Sequence, residues 1–290
     1  MPHFTAPDKF VVSSPEVGAL PIVFDSPHSG LIYPPDFRTV APPEAVRTTC
    51  DRFVDELYRG AVAVGAAQVS ALFPRAYVDA NRALSDLDPA MIGGTWEGPI
   101  EPTEYTSRGM GVVRRFALPG IPLYASPLTP AEITHRFETY YKPYRTALKG
   151  AIDVARESYG VVYHINCHSM KSRGNEMNVD TGSSRPDFVV SDRLGTTCDP
   201  AITAWTATFL KSLGYSVKVN DPYRGGDLIR TFGKPWEYRH SLQIEINRRL
   251  YLDESTYEKS GDFEKLQANL SVYLEAFATY VKQAVTKPRP

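Results

Sequence analysis

Cysteine is scarce in this chain, with three among 290 residues, at positions 50, 167 and 198. An odd number so widely spaced argues against a disulfide framework and suits reduced thiols, so the cytoplasm is the expected compartment. A charge surplus of either sign is also missing. Lys+Arg 32 against Asp+Glu 33 leave a formal net charge of -1, so neither nucleic acid nor an anionic membrane surface is expected as a partner. No apolar run approaches the length of a membrane-spanning helix. The opening residues Met1-Pro2-His3-Phe4-Thr5 offer no basic stretch followed by an apolar one, so a signal peptide is not expected. Gly-x-Ser-x-Gly, a phosphate-binding glycine loop and Cys-x-x-Cys are all absent.

What the chain does have is 24 prolines and 20 glycines spread along its length, and apolar runs alternating with helical patterns. Strands are expected at 21–26, 67–72, 75–79, 121–126, 161–167, 187–191, 215–220 and 241–247. Several lack polar alternation, as interior strands covered on both faces do. Helices are expected over 43–64, over 130–158 with Pro143 bending or splitting it, over 199–213, and over about 262–284, where Phe263, Leu266, Leu270, Tyr273, Phe277 and Val281 form one stripe. This order implies an α/β fold, a three-layer sandwich around a mostly parallel, mixed sheet, in one domain spanning 1–290. Three stretches, 84–120, 171–186 and 221–236, resist assignment. Loops of that length usually serve a site. The latter two follow strands and are expected at the sheet edge that carries the candidate histidines.

Two segments end in His-Ser: Pro21-Ile22-Val23-Phe24-Asp25-Ser26-Pro27-His28-Ser29 and Tyr163-His164-Ile165-Asn166-Cys167-His168-Ser169. Two imidazoles at strand ends are what a zinc-activated hydrolase needs, together with a third ligand and an open position. Asp51, Asp55 and Asp25 are the acidic candidates. Asp51 and Asp55, four apart, would share a helix face, where Arg47 and Arg59 could instead make an ion ladder without any metal. Asp51 is preferred as nearer the helix start. In Gln243-Ile244-Glu245-Ile246-Asn247, the isoleucines should point one way and Glu245 the other. A Glu in an apolar strand is costly unless functional or paired, here with Arg248 or Arg230. If functional, it is placed to take a proton from water. Asp79-Ala80-Asn81-Arg82 offers an amide and a planar cation for a carboxylate, and Tyr223-Arg224-Gly225-Gly226, with Arg230, offers close backbone approach and further cations. Cys167 beside His168 reads as buried and inert rather than nucleophilic.

In order, Asp25-Ser26-Pro27-His28-Ser29-Gly30 with Tyr33-Pro34, Asp51 through Leu57, Asp79-x-Asn81-Arg82, His168-Ser169-Met170, Asn220-x-Pro222-Tyr223-x-Gly225-Gly226 and Gln243-x-Glu245-Ile246 resemble the N-formylglutamate amidohydrolase family over about residues 20–251. The Asp-x-Asn-Arg segment is also similar to one in the aspartoacylase and succinylglutamate desuccinylase family, which has a zinc-carboxypeptidase-like architecture. The resemblance implies hydrolysis of N-formyl-L-glutamate to formate and L-glutamate in histidine breakdown, with a divalent metal, zinc foremost. His28, His168 and Asp51 would be its ligands and Glu245 the general base. Arg82 with Asn81 would hold a substrate carboxylate or the developing oxyanion, and Tyr223, Arg224, Gly225, Gly226 and Arg230 would complete the substrate site. The aspartoacylase-like enzymes place a Glu three residues after the first His, where this chain has Leu31. An acid from elsewhere, Asp51, is expected to substitute. Met91, Trp96 and Tyr105 of the 84–120 stretch would close over the pocket. The competing expectations are a metal-dependent deacylase of another N-acyl amino acid or small peptide, and a non-catalytic amino-acid- or metal-binding protein on the same fold.

Overall fold

Side chains alternate across a strand, so a sheet covered on both faces must satisfy both sets. The computed structural model describes residues 4–286. Eight strands make one mixed sheet: β1 Phe4–Ala6, β2 Phe10–Ser13, β3 Ile22–Ser26, β4 Ala67–Ala71, β5 Val162–Met170, β6 Phe188–Ser191, β7 Val217–Val219 and β8 Arg239–Asn247. Their order across the sheet is β1-β2-β4-β3-β5-β8-β6-β7. The central four, β4, β3, β5 and β8, run parallel, so their carboxyl ends share one edge. β6 runs antiparallel to β8, and β2 antiparallel to β4.

One face is covered by the helix Lys142–Tyr159, whose Leu148 and Ile152 join Val23 and Val69 in one apolar cluster. The helices Pro200–Ser212 and Phe263–Thr286 cover the other, where Leu210, Leu270 and Phe277 meet Phe24, Ile165 and Ile244. The expected stripe Phe263, Leu266, Leu270, Tyr273, Phe277 and Val281 is buried throughout.

Several expected elements differ. Residues 75–79 are a buried turn, with Tyr77 N–H bonded to Pro74 O at 3.0 Å. Their apolar character reflects core packing rather than sheet pairing. Of 121–126, only Ile121–Pro122 pairs, in a small ribbon with Phe116–Leu118, since proline lacks a ladder donor. The 215–220 strand shrinks to Val217–Val219.

The 43–64 helix breaks into Pro43–Arg47, Val54–Leu57 and a 3-10 turn at Arg59–Val64. Thr48 and Thr49 turn their hydroxyls back onto the carbonyls of Ala45 and Val46, and Phe53 takes φ 65. Asp51 therefore sits in a loop, and the ion ladder with Arg47 and Arg59 does not form. The 130–158 helix starts with a capping box between Thr129 and Glu132 and passes through a π-helical turn, Phe137–Tyr141. Pro143 has no N–H for the carbonyl of residue 139, and the turn ahead of it widens.

Candidate metal centre and active-site cleft

Alternation along the central strands builds the site. On β5, Tyr163, Ile165 and Cys167 face one apolar cluster, which leaves His164, Asn166 and His168 on the opposite face. β5 continues to Met170, so His168 lies inside the strand rather than at its end. On β8, Leu242, Ile244 and Ile246 join the same cluster, and Gln243 and Glu245 face the other way, as expected. Glu245 is the register partner of His168 on the adjacent parallel strand. His28 follows β3 by two residues, and Asp51 N–H bonds the His28 carbonyl at 2.9 Å, tying the two loops together.

Three donor atoms converge. His28 Nδ1 lies 3.1 Å from His168 Nδ1, and Asp51 Oδ2 lies 3.0 Å from His168 Nδ1 and 3.4 Å from His28 Nδ1. All three residues are buried. The outer nitrogens fix the tautomers. His28 Nε2 meets Asp79 Oδ1 at 2.7 Å and donates to that carboxylate. Asn166 gives its amide N–H to Asp25 at 2.8 Å, which turns its oxygen to His168 Nε2 at 2.7 Å. Both imidazoles thus carry their proton on Nε2 and aim Nδ1 lone pairs at each other and at a carboxylate. Three lone-pair donors facing one point need a cation between them. Their separations are close to the edge, about 3.3 Å, of a tetrahedron with zinc-length bonds. The residues present therefore fit a divalent metal.

The surrounding charges hold this set in place. Arg248 grips the other Asp51 oxygen at 2.9 Å, and Arg75 binds Asp79 at 2.7 Å. Burial pushes Asp51 and Asp79 upward, but the two histidines around Asp51, and Arg75 with His28 around Asp79, outweigh it and hold both carboxyls well below the usual range. Glu245 behaves oppositely. Burial raises it, it accepts a hydrogen bond from Gln243 at 2.9 Å, and it has no ion-pair partner among the described residues. The alternative of a structural pair with Arg248 or Arg230 is not realised, since Arg248 is committed to Asp51, Ser169 and two backbone carbonyls.

The donors open onto a cleft lined by Asp51, His168, Glu245, Asn81, Arg82, Tyr105, Tyr223, Gly225 and Gly226 among others. Segment 171–186 contributes Lys171, Met177 and Arg185. Arg82 stacks on Tyr105 at 4.0 Å, and its Nε and Nη1 donate to the carbonyls of Met110 and Asn81. Gly226 is required where it stands, because a Cβ there would meet the Asn81 amide at 2.4 Å. The Asn81 amide nitrogen lies 2.9 Å from His168 Nε2 and gives its hydrogen to the same Asn166 oxygen, at 3.3 Å, while the Asn81 oxygen accepts from Leu228 N–H.

Two expected substrate contacts fall elsewhere. Arg230 is paired with Asp227 and its side chain is 56% exposed, while Arg224 faces a neighbouring hollow with Glu104 and Arg108. Neither lines the cleft; the helix Asp227–Phe232 starts directly after Gly226 and carries Arg230 away. Met91 is core and Trp96 packs on Phe137, so only Tyr105 of the three expected closing residues reaches the cleft. Asp25 is absorbed by His164, Asn166 and Tyr144, and Asp55 stands outside the donor group. Sequence reasoning missed Asp79, Arg75, Asn166 and Arg248 as supports, and Arg114, Lys171 and Arg185 as lining. The alternation His164-x-Asn166-x-His168 signalled Asn166. Arg114 lies in a stretch without regular period and gave no signal.

Comparison with known proteins places this geometry. The N-formylglutamate amidohydrolase family matches residues 20–252. The N-formylglutamate deformylase of Pseudomonas putida is 27% identical over 242 residues, covering 82% of this chain and 84% of the relative. The crystal structure of N-formylglutamate amidohydrolase from Ralstonia eutropha JMP134 superposes with a TM-score of 0.92 at 42% identity, over 96% of this chain and 99% of the other. A gene product of Agrobacterium tumefaciens shares the fold at TM-score 0.64 and 16% identity, over 97% of each chain.

Proposed function

The chain belongs to the N-formylglutamate amidohydrolase family, and on that premise we propose that it hydrolyses the formyl amide of N-formyl-L-glutamate to formate and L-glutamate through His28, Asp51, His168, Glu245 and Arg82. The observation that carries this reading is the convergence of two imidazole nitrogens and a carboxylate oxygen, all buried, on the face of the sheet that presents Glu245. His28, Asp51 and His168 would hold a divalent cation, and zinc suits the donor set. Such an ion, when bound, acidifies water and polarises a carbonyl.

The chain's own groups do the rest. Glu245 accepts the proton of the attacking water and returns it to the departing amine. Burial raises its proton affinity toward that needed to do both. Arg82, braced by Tyr105 and by two backbone carbonyls, offers its remaining N–H groups to a substrate carboxylate or to the oxyanion. Asp79 and Asn166 hold the imidazole protons on Nε2 so that Nδ1 stays free for the ion. The substrate carries two carboxylates, and the cleft lining includes Arg75, Arg82, Arg114, Lys171, Arg185 and Arg248. That balance supports a dianion.

The test is one preparation with three measurements. The purified protein is expected to carry bound divalent metal, to release formate from N-formyl-L-glutamate, and to lose that activity on chelation and regain it with added zinc. E245Q is expected to keep the metal while losing about 10²- to 10⁴-fold in kcat. Activity indifferent to chelation and a metal-free protein would together remove the centre. Bound metal without formate release would point to another N-acyl amino acid.

A further inference from the structure

We propose that Arg114 and Lys171 form the receptor for the side-chain carboxylate of the substrate, and so select a dicarboxylate over other N-formyl amino acids. This rests on the deformylase reading above and adds the residues that set its specificity.

Most cations of the cleft already have acceptors. Arg75 is held by Asp79, Arg248 by Asp51, and Arg185 by both oxygens of Asp180 at 2.7 Å. Arg82 spends Nε and Nη1 on backbone carbonyls. Arg114 is different. It is 5% exposed and lines the cleft, yet among the described residues its guanidinium has no hydrogen bond or ion pair, and its Nε is a buried polar atom without a partner. Lys171 also lines the cleft, and its ammonium has no hydrogen bond or ion pair among the described residues.

A guanidinium stays protonated in a protein, so burying one unpaired is unfavourable until an anion arrives. Burial and the neighbouring Arg75 both work against the charge on Arg114, and burial brings Lys171 down to about 8. Arg114 is also among the charges that disfavour the Lys171 ammonium, so the two are neighbours in the cleft and an anion between them would relieve both.

The proposal divides the two carboxylates between the cations: Arg82, whose Nη1 is tied to the carbonyl of Asn81, the residue against the metal ligand His168, takes the α-carboxylate beside the scissile amide. Arg114 and Lys171 are left for the carboxylate further along the substrate chain. The planar fork of Arg114 suits bidentate binding, with Lys171 adding a point charge.

Calorimetric titration of the metal-loaded E245Q protein reads ligand binding without turnover. The ligands are N-formyl-L-glutamate, its side-chain amide N-formyl-L-glutamine, and its α-amide. E245Q alone is expected to favour N-formyl-L-glutamate over N-formyl-L-glutamine. Adding R114M is expected to weaken N-formyl-L-glutamate and the α-amide by at least about tenfold while changing N-formyl-L-glutamine less than about twofold. K171M is expected to act in the same direction, more weakly. In ligand-free protein, R114M is expected to leave the melting temperature unchanged or raise it, since it removes an unpaired buried charge.

Equal losses for all three ligands, losses that follow the α-carboxylate, no preference in E245Q alone, or a lowered melting temperature with unselective weakening would each overturn the assignment. Formate release by the unmutated protein tests the deformylase reading separately, because it does not depend on which residue holds the second carboxylate.

Discussion

Asp79 does not belong to the donor set, yet it decides whether His28 can. Its Oδ1 takes the Nε2 proton at 2.7 Å, and Arg75 keeps it ionised from the other side. D79N keeps the shape but loses the charge, so the proton on Nε2 is held less firmly and Nδ1 becomes a weaker donor. Metal affinity is expected to fall about 10- to 100-fold, measured by competition with a chromophoric chelator. Activity at saturating metal is expected to recover most of the loss, and unchanged affinity would count against the tautomer argument. Residues of this kind explain what the sequence could reveal. Glu245 is legible because it breaks an apolar run, where a polar residue needs a reason, and His28 and His168 because each is followed by Ser after a strand-like segment. The sequence favours Asp51 over Asp55 only as the nearer to the start of a 43–64 helix, and that helix is broken; what selects Asp51 is the loop bond to the His28 carbonyl. Asp79 was visible in Asp-x-Asn-Arg, but its role depends on a contact 51 residues distant in sequence.

Elements were legible where one physical signal dominated. The apolar face of β8 and the stripe of the last helix follow from period alone, and the structure reproduces them. Breaks were not legible, because they arise from competition between near-equal alternatives, such as the Thr48 and Thr49 back-bonds or the widened turn ahead of Pro143. Tertiary pairing also decides where short elements sit. The helix Asp227–Phe232, unassigned in the sequence, is anchored by Asp227, which binds Arg145 of the covering helix at 2.7 Å as well as Arg230. Burial pushes the Asp227 carboxyl up, but Arg145 and Arg230 outweigh it and the net shift is downward. A lowered folded pKa means that the unfolded chain binds the proton first. The pair's contribution is therefore present above the unfolded value, near 4, and is lost as pH falls through the folded one. D227N is expected to cost about 2 kcal/mol in urea unfolding of metal-free protein at pH 7. That gap should hold down to about pH 4 and narrow below it. A gap that widened with acidification would reverse the sign of the linkage.

At the scale of the whole molecule, the formal net charge of -1 hides a strong separation. No helix among the described residues is long and apolar enough to cross a membrane, and the overall charge would draw no anion. Yet the cleft lining gathers six Arg and Lys against Asp51 and Glu245, and with Asp79 and Asp180 behind Arg75 and Arg185 the cations still outnumber the carboxylates. Concave, low-dielectric walls focus such a local excess outward, so a dianionic substrate is steered even though the molecule as a whole is slightly negative. Steering of this origin is screened by salt. The Debye length shrinks from about 30 Å at 0.01 M to about 8 Å at 0.15 M ionic strength. Over that range kcat/KM for N-formyl-L-glutamate is expected to fall about threefold to tenfold. The fall should be smaller for N-formyl-L-glutamine and negligible for uncharged N-formylglycinamide. Ranking the three substrates by the slope of log kcat/KM against ionic strength makes the check independent of absolute rates. Equal slopes for the dianion and the neutral amide would mean that the cleft's cations act only at contact, on a substrate that has already arrived.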